Sequence, residues 1–430
     1  MFPLHDRTRR RVALAVFGSL CVLPTVLILL WGLIRHTPWH TAAEIRRLES
    51  VLGLRVRVAR ARNTAPGVWR YEGFSLYDPE TGRRLFSCEK LDARYSRHGA
   101  AAPATLVLRA RGPVAHEPAA AALYQLLSRA MQGQMGPAPL DVQWTADELA
   151  LGTGEAAVHL AGLSGGTQSH PGGVRAHLRF HPAGGSEAEP AHVELYRNRQ
   201  VTPAVLQLKL HTGAVPLPCR LLAAGLPAFE PLGPDSRFLG YLQADQTPHG
   251  WRGDLTGQFS NVDLGRLVRE PFARHLTGEG EVTIERARFD AGRLLEARGA
   301  VSVGPGTIER RLLDAAVEQM GLTRSGLPGF DDPVSYRQLA AGWRIDPGGL
   351  HVEGRCPAAG PGTLLVGAGS WQVGEPVVQP LPVAAVVRAL APHGPAEVPA
   401  TAEAAWLLRR LPLPGPPPDA WERRTTERLR

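Results

Sequence analysis

An alternation of apolar and polar residues with a period of two recurs along most of this chain, and it constrains the fold more than any other feature. Between Val174 and His181 every second residue is apolar, and the residues between are arginine or histidine. Leu206, Leu208 and Leu210 alternate with polar residues in the same way. Successive side chains of a strand point to opposite faces of its sheet, so each such segment predicts a strand with one apolar face. Such strands are typical of antiparallel sheets.

The number and spacing of these segments predict a strand-dominated α+β fold, a long curled antiparallel β-meander with short inserted helices. Strands are expected at 54–58, 67–77, 84–95, 105–111, 140–145, 156–162, 174–180, 191–197, 206–210, 237–245, 250–260, 279–289, 293–303, 343–354 and 363–373. Helices are expected at 41–52, 118–131, 217–225, 263–275, 307–320 and 383–391. Thr41 and Glu44 form a capping box for the first helix, and Gly53 is suited to end it.

One segment is long and apolar enough to predict a transmembrane helix. It runs from Val12 to Ile34 without a charge, and Arg11 and Arg35 flank it. Its 23 residues would span about 34 Å as a helix, which exceeds the ~30 Å hydrocarbon core of a bilayer. Arginines crowd positions 7 to 11, so the positive-inside rule places the N-terminus in the cytoplasm and the rest of the chain outside. The alternative is a buried core helix.

These features divide the chain into four expected parts. They are a cytoplasmic basic tip (1–11), a transmembrane anchor (12–34), an extracytoplasmic β-rich region (35–391, with 41–215 and 216–391 as sub-domains) and a Pro-rich flexible tail (392–430). The tail contains the run Leu413–Pro418, in which proline prevents regular helix or sheet. It also holds a short apolar patch, Ala404–Leu411, which is expected to dock on the chain itself or on a partner.

The chain is basic, with a net charge of +8, and its basic residues are almost all arginine. Lys90 and Lys209 are the only lysines. Between the two termini the arginines are interspersed with acidic residues and form no long basic run. Binding to nucleic acid would require a clustered basic face or a known motif, so nucleic acid is not an expected partner.

No motif in the sequence predicts an enzyme, a metal site or a cofactor. Gly162–Gly166 matches the G-x-S-x-G pattern of hydrolases, but the residues that follow do not form the helix that this motif needs. Cys21 lies in the apolar segment. Cys88, Cys219 and Cys356 are far apart without metal-ligand spacing, and they form either one disulfide or three separate thiols.

Two stretches of the sequence show a resemblance to a known family. The first runs through Leu52-Gly53-Leu54 and on to Trp69–Asp78. The second comprises Gly253–Phe259, Val262–Leu264, Leu276–Gly278, Gly280–Val282, Ala297–Gly299 and Gly304–Gly306. Residues 10–95 and 235–320 thereby resemble the AsmA-like family of single-pass bacterial envelope proteins. The resemblance implies a periplasmic β-groove that handles lipid in maintenance of the cell envelope, with no catalytic residues, at the inner membrane.

The apolar strand faces are the candidate site. A sheet must cover an apolar face with helices, a second sheet or an acyl chain. Six residues are the expected lipid contacts: Val174, Leu178, Phe180, Leu206, Leu208 and Leu210. A dozen strands about 4.8 Å apart give a groove of roughly 60 Å at most. The alternative is ordinary core packing in an envelope assembly scaffold, sealed by its own helices, whose tail binds an envelope protein.

Overall fold

The fold was analysed in a computed structural model of the chain. The structure describes residue 10 and residues 14–35, 38–65, 67–97, 104–116, 131, 140–152, 157–182, 189–202, 204–223, 226–272, 274–326, 331–390 and 410–412. The chain forms two compact units. The first comprises Met1–His159 and Gly166–Ser169, and the second comprises Leu160–Gly165 and His170–Arg430. The predicted sub-domain division at residue 215 falls inside the second unit.

The first unit is a small sheet with a helix packed on one face. Its helices are α1 (Leu23–Arg35), which follows a π-helical turn at Gly18–Val22, and α2 (Pro38–Leu52). Its strands are β1 (Arg55–Arg57), β2 (Arg60–Ala65), β3 (Val68–Tyr77), β4 (Arg84–Arg97), β5 (Ala104–Arg111), β6 (Val114–Ala115) and β7 (Leu140–Leu151). Ile45 and Leu48 of α2 pack on buried Tyr71 and Leu91 of the sheet.

The boundaries of α2 differ from the prediction at one end. The helix begins at Pro38 and not after Thr41, because proline lacks the N–H that the first turn of a helix leaves unpaired anyway. Its C-terminal end matches the prediction, since the Gly53 N–H donates to the Glu49 carbonyl at 2.8 Å. Gly53 has a φ of 65°, which favours glycine.

The prediction of a purely antiparallel meander is wrong in the first unit. Strands β5 and β6 both pair with β7 in parallel. Parallel neighbours require a crossover connection of a dozen or more residues, and residues 116–139 lie between β6 and β7 in the chain. The helix expected at 118–131 falls in this connection and lies outside the described residues, except for Met131, which is helical and buried.

The second unit contains most of the strands. They are β9 (Gly173–Pro182), β10 (Ala191–Asn198), β11 (Val205–His211), β12 (Leu217–Pro218), β13 (Arg237–Thr247), β14 (Gly250–Asp263), β15 (Glu279–Asp290), β16 (Arg293–Val303), β17 (Gly306–Ile308), β18 (Leu322–Ser325), β19 (Val334–Asp346), β20 (Gly349–Gly354), β21 (Thr363–Gly367) and β22 (Gln372–Pro376). Strand β8 (Val158–His170) has residues in both units. Nine strands pair antiparallel in the order β9, β10, β11, β13, β14, β15, β16, β19 and β20.

Two predicted strands of the second unit are hairpins. The segment 343–354 turns between β19 and β20, where Gly349 has a φ of 132°. The segment 363–373 divides into β21 and the start of β22, which pair with each other. In both cases the predicted strand ran through a turn that contains glycine, at Asp346–Gly349 and at Ala368–Trp371.

Short helices cover part of the second unit. They are α3 (Cys219–Ala223), a 3-10 helix (Pro227–Leu232), α4 (Leu264–Phe272), α5 (Arg310–Met320) and α6 (Val383–Leu390), close to the positions expected. Val383 and Val387 of α6 pack on buried Ala287 and Ile345 of the sheet, and Leu411 joins the same cluster. Leu411 belongs to the apolar patch of the expected tail, so this residue docks on its own chain.

Two sequence expectations concern single segments. Cys88, Cys219 and Cys356 are buried free thiols, so no disulfide joins them. Near the N-terminus, large apolar side chains such as Leu20 and Ile28 are exposed. Among the described residues, no helix has the combination of length and apolarity needed to cross a membrane. The anchor therefore stays a prediction. Of its expected ends, Arg11 and Val12 lie outside the described residues, and Ile34 and Arg35 end α1.

Candidate functional site: an apolar face of the second sheet

The six predicted lipid contacts share one face of strands β9 and β11. Val174, Phe180 and Leu210 are buried, whereas Leu178, Leu206 and Leu208 are half-buried. Strand β10 lies between β9 and β11 and pairs with both of them. The alternation in the sequence therefore identified a real common face.

The register of the strands brings these residues together across β10. Leu178 lies opposite Val193, and Val193 lies opposite Leu210. In the next row, Leu208 lies opposite the buried Leu195. Directly opposed side chains on one face of an antiparallel pair have Cβ atoms about 5 Å apart, close enough to pack. The sequence could not supply the contribution of β10, because its pairing register is a property of the folded sheet.

The apolar row that contains Leu178 and Leu210 continues across the whole order of nine strands. Its members, one from each strand, are Leu178, Val193, Leu210, Leu242, Leu255, Ala287, Ala297, Ile345 and Leu350. We call these nine residues the apolar row. With strands about 4.8 Å apart, the row is about 38 Å long. It is longer than one fully extended eighteen-carbon acyl chain, and it contains no polar residue.

The two ends of the apolar row differ in what is packed on them. At the end formed by Ala287, Ala297 and Ile345, helix α6 and Leu411 complete a buried cluster. Leu255 also packs on this cluster. Toward the other end Leu178 and Val193 are half-buried, whereas Leu210 and Leu242 are 3% and 2% exposed. The row is therefore mostly a conventional core, part of which the chain's own helix covers, and it keeps some exposure at Leu178 and Val193.

The opposite face of β9, β10 and β11 is polar and rich in histidine. His177 pairs across the sheet with Glu194, and Glu194 with exposed Lys209. Arg175 also forms an ion pair with Glu194 at 3.1 Å. Burial lowers the pKa of His192 below its ordinary value, and the charge of Arg179 lowers it further. His192 is thereby held in its neutral form. This polar face is the side of the sheet that faces solvent.

The structure bears on two kinds of site that the sequence raised, a hydrolase elbow and a metal site. The Gly162–Gly166 motif lies inside β8, and the strand continues after Ser164 to His170, so the helix of a hydrolase elbow does not follow it. Ser164 is exposed. In the described part of the chain, no group of three histidine, cysteine, aspartate or glutamate side chains is placed to hold a metal ion.

Comparisons with known proteins do not identify the chain. No protein-family model, no curated protein and no solved structure matches it.

Proposed function

We propose that this chain is a membrane-anchored envelope protein without enzymatic activity, whose apolar row contacts or carries lipid. In this proposal residues 12–34 hold it in the inner membrane, and the β-rich region lies in the periplasm. The AsmA-like resemblance of residues 10–95 and 235–320 is part of the same proposal, because that family combines a single anchor with a lipid-handling groove.

The apolar row is the single observation that carries this proposal. A continuous apolar stripe crosses nine strands in register, and its half-buried residues in β9 and β10 offer contact to an acyl chain. Each buried methylene contributes about 0.8 kcal/mol, so even half of an acyl chain would be held firmly. Leu178, Leu206 and Leu208 of the β9–β11 end retain exposure in the chain alone, which is the property a lipid contact needs.

A second candidate function is an assembly scaffold with a sealed β-domain. The packing of α6 and Leu411 on the row favours it, since at that end the chain covers its own apolar surface. In a scaffold, the partner would be an envelope protein that binds the Pro-rich tail, and the row would contribute only to stability.

The experiment that separates the two candidates is mass spectrometry of lipids that co-purify with the full chain. The test variant is Leu208→Asp, which places a carboxylate beside Leu195 in the half-buried part of the face. The matched control is Lys209→Asp, the next residue of the same strand, whose exposed side chain lies on the opposite face. Circular dichroism and thermal unfolding of each variant report whether it folds.

A lipid carrier predicts phospholipid on the wild type and on Lys209→Asp, and at least a tenfold loss of it from a folded Leu208→Asp. A scaffold predicts no lipid on any of the three, together with global unfolding of Leu208→Asp. Lipid that stays bound to a folded Leu208→Asp would contradict the placement of the contact on this face.

A further inference from the structure

A second surface, on the first unit, has a strong charge that the sequence did not predict. Strands β2, β3, β4 and β5 place two rows of side chains on the face opposite α2. One row contains Arg62, Arg70, Asp92 and Arg109, and the other contains Arg60, Glu72, Lys90 and Arg111. We call the six basic residues of these rows the arginine face. Two carboxylates stand among six basic groups, so the face is positive.

The arginine face is the outer side of a two-layer unit. The residues that alternate with it, such as Ala61, Tyr71 and Leu91, pack beneath Ile45 and Leu48 of α2. Five of the six basic side chains are exposed, and Arg70 is half-buried. The charges therefore face solvent and remain accessible to a partner.

Ion pairing within the described part of the unit reaches two of the six basic groups, since Arg70 pairs with Asp92 and Arg109 lies 3.7 Å from Asp147 of β7. Arg70 donates from Nε and Nη2 to both carboxylate oxygens of Asp92, at 2.6 and 3.2 Å. The pKa of Asp92 is lowered, first by this hydrogen bond and then by the charges of Arg70, Arg111 and Arg109. Arg62 lies directly opposite Arg70, and like charges in that position repel.

On the outer face of the second sheet, several exposed arginines lie beside a carboxylate. Arg252 lies 3.0 Å from Asp290, Arg298 lies 3.2 Å from Glu285, and Arg344 lies 3.4 Å from Asp346. The basic groups of the arginine face that have no such ion pair are free to bind an anionic partner.

We propose that the arginine face binds the anionic phosphate headgroups of the membrane surface. Guanidinium groups pair with phosphate oxygens through two parallel hydrogen bonds. The same compact unit contains the exposed apolar side chains of the N-terminal segment, among them Leu20, Leu27 and Ile28. The inference rests on the anchor of the proposed function, since insertion of that segment would bring the first unit to a lipid surface.

The test uses the full chain reconstituted into vesicles of phosphatidylcholine alone, or with a quarter of the lipid replaced by phosphatidylglycerol. A fluorophore is attached at Thr64→Cys, an exposed position of β2, in a Cys21→Ser background because Cys21 is the exposed native thiol. Quenching by a spin-labelled headgroup lipid then reports the distance of the face from the bilayer. The test variant combines Arg60→Gln, Arg62→Gln and Arg111→Gln. The control removes equal charge from the second unit through Arg252→Gln, Arg298→Gln and Arg344→Gln.

The expected result is strong quenching in vesicles that contain phosphatidylglycerol and weak quenching in phosphatidylcholine. Each arginine removed from the face should lower the ratio of docked to undocked protein about fivefold, whereas the control should keep wild-type quenching. Raising the salt from about 0.01 M to about 0.15 M should weaken docking, because the Debye length shortens from about 30 to about 8 Å.

Equal quenching in both kinds of vesicle, or an equal loss in both triple variants, would overturn the proposal. So would tight binding of a single-stranded DNA oligonucleotide that depends on Arg60, Arg62 and Arg111, without any response to phosphatidylglycerol. Failure of the proposed function gives a different result. If no lipid co-purifies with the chain while quenching in phosphatidylglycerol vesicles is unchanged, the lipid-carrying role fails and the docking of the arginine face stands. A chain that does not insert into vesicles can still be tested by flotation with anionic vesicles.

Discussion

At the scale of the single residue, the β13–β14 hairpin depends on two glycines that face each other. Gly240 lies opposite Gly257 in the register, and beside them the rings of Phe238 and Phe259 pack in a tilted arrangement with centroids 4.8 Å apart. A Cβ on Gly257 would meet the Leu239 carbonyl oxygen, and it would lie 2.8 Å from the Gly240 Cα. The φ of Gly257, 152°, adds backbone strain for any other residue.

We therefore expect Gly257→Ala to lower the free energy of unfolding by about 2 to 4 kcal/mol, from overpacking and backbone strain together. Urea unfolding followed by circular dichroism measures this loss. Gly304→Ala is the control, since the nearest atom to its Cβ would be 3.9 Å away, and it should change stability by about 0.5 kcal/mol or less. Equal stabilities for the two variants would show that the hairpin adjusts to a methyl group.

A buried tyrosine should make the fold sensitive to alkaline pH. The Tyr336 hydroxyl donates to the Thr277 carbonyl, and its side chain is 2% exposed. Burial raises the pKa of Tyr336 to about 12, whereas an unfolded tyrosine titrates near 10. A raised pKa means that the native state favours the neutral hydroxyl. The resulting stability is complete below about pH 10 and is lost as the pH rises to about 12.

Unfolding measured in urea between pH 9 and 12 tests this expectation. The wild type should lose about 2 kcal/mol over the window from this residue, and Tyr336→Phe should lose less because its ring cannot ionise. Burial also raises the pKa of Cys88 to about 12, so a background slope remains in both proteins. The exposed Tyr241→Phe serves as a control. Parallel slopes for wild type and Tyr336→Phe would refute the assignment.

At the scale of the element, one side chain protects the edge of the second sheet. The Val352 N–H of β20 donates to Gln379 Oε1 at 3.0 Å, and Gln379 Nε2 donates to the Val352 carbonyl at 2.7 Å. Leu350 and Leu381 exchange backbone hydrogen bonds beside it. A glutamine amide thus occupies the place of a tenth strand at this edge.

Gln379→Ala should expose the Val352 edge groups and destabilise the chain by about 1 to 3 kcal/mol. It should also promote self-association, because an unpaired strand edge accepts other strands. Light scattering and urea unfolding measure the two effects. Gln379→Glu keeps the size and the acceptor but loses the donor, so it should lie between alanine and wild type. Val378→Ser, at a side chain 74% exposed, is the control, and a similar effect there would contradict the role of Gln379.

The sequence was most informative about the bounds of individual strands and helices. Strand β16 runs from Arg293 to Val303 as the period of two predicted. The pattern failed at the turn Asp346–Gly349, through which one predicted strand was continued. It also failed at β2, whose sequence Arg60–Ala65 has only small apolar residues. The parallel pairing of β7 could not be predicted, because alternation fixes which face a residue takes and not which strand lies beside it.

At the scale of the whole molecule, the two surfaces for which we propose functions were unequally predictable. The alternation within β9 and β11 identified the apolar face correctly, since residues two apart on a strand share a face. The arginine face is assembled by register from positions as distant as Arg60 and Arg111. Along the chain these arginines are diluted by acidic and apolar residues, so the sequence suggested only scattered charge.

The anchor is tested on the whole molecule by extraction of membranes with alkaline carbonate. The full chain should stay in the membrane pellet, and a variant that lacks residues 12–34 should be released. Leu27→Arg combined with Leu30→Arg keeps the length of the segment but should release the chain as well, because each central arginine costs about 3 kcal/mol of insertion free energy. Release of the wild type would remove the anchor from the proposed function.

The scarcity of lysine has a practical consequence for studying the two units. Lys90 lies in β4 of the first unit and Lys209 in β11 of the second, and both are exposed. Once the α-amino group is blocked, amine-reactive dyes would therefore label the folded chain at one lysine in each unit, without any engineered residue. With a donor fluorophore on one amine and an acceptor on the other, the efficiency of energy transfer would report whether the distance between Lys90 and Lys209 changes when bilayers or lipid are added.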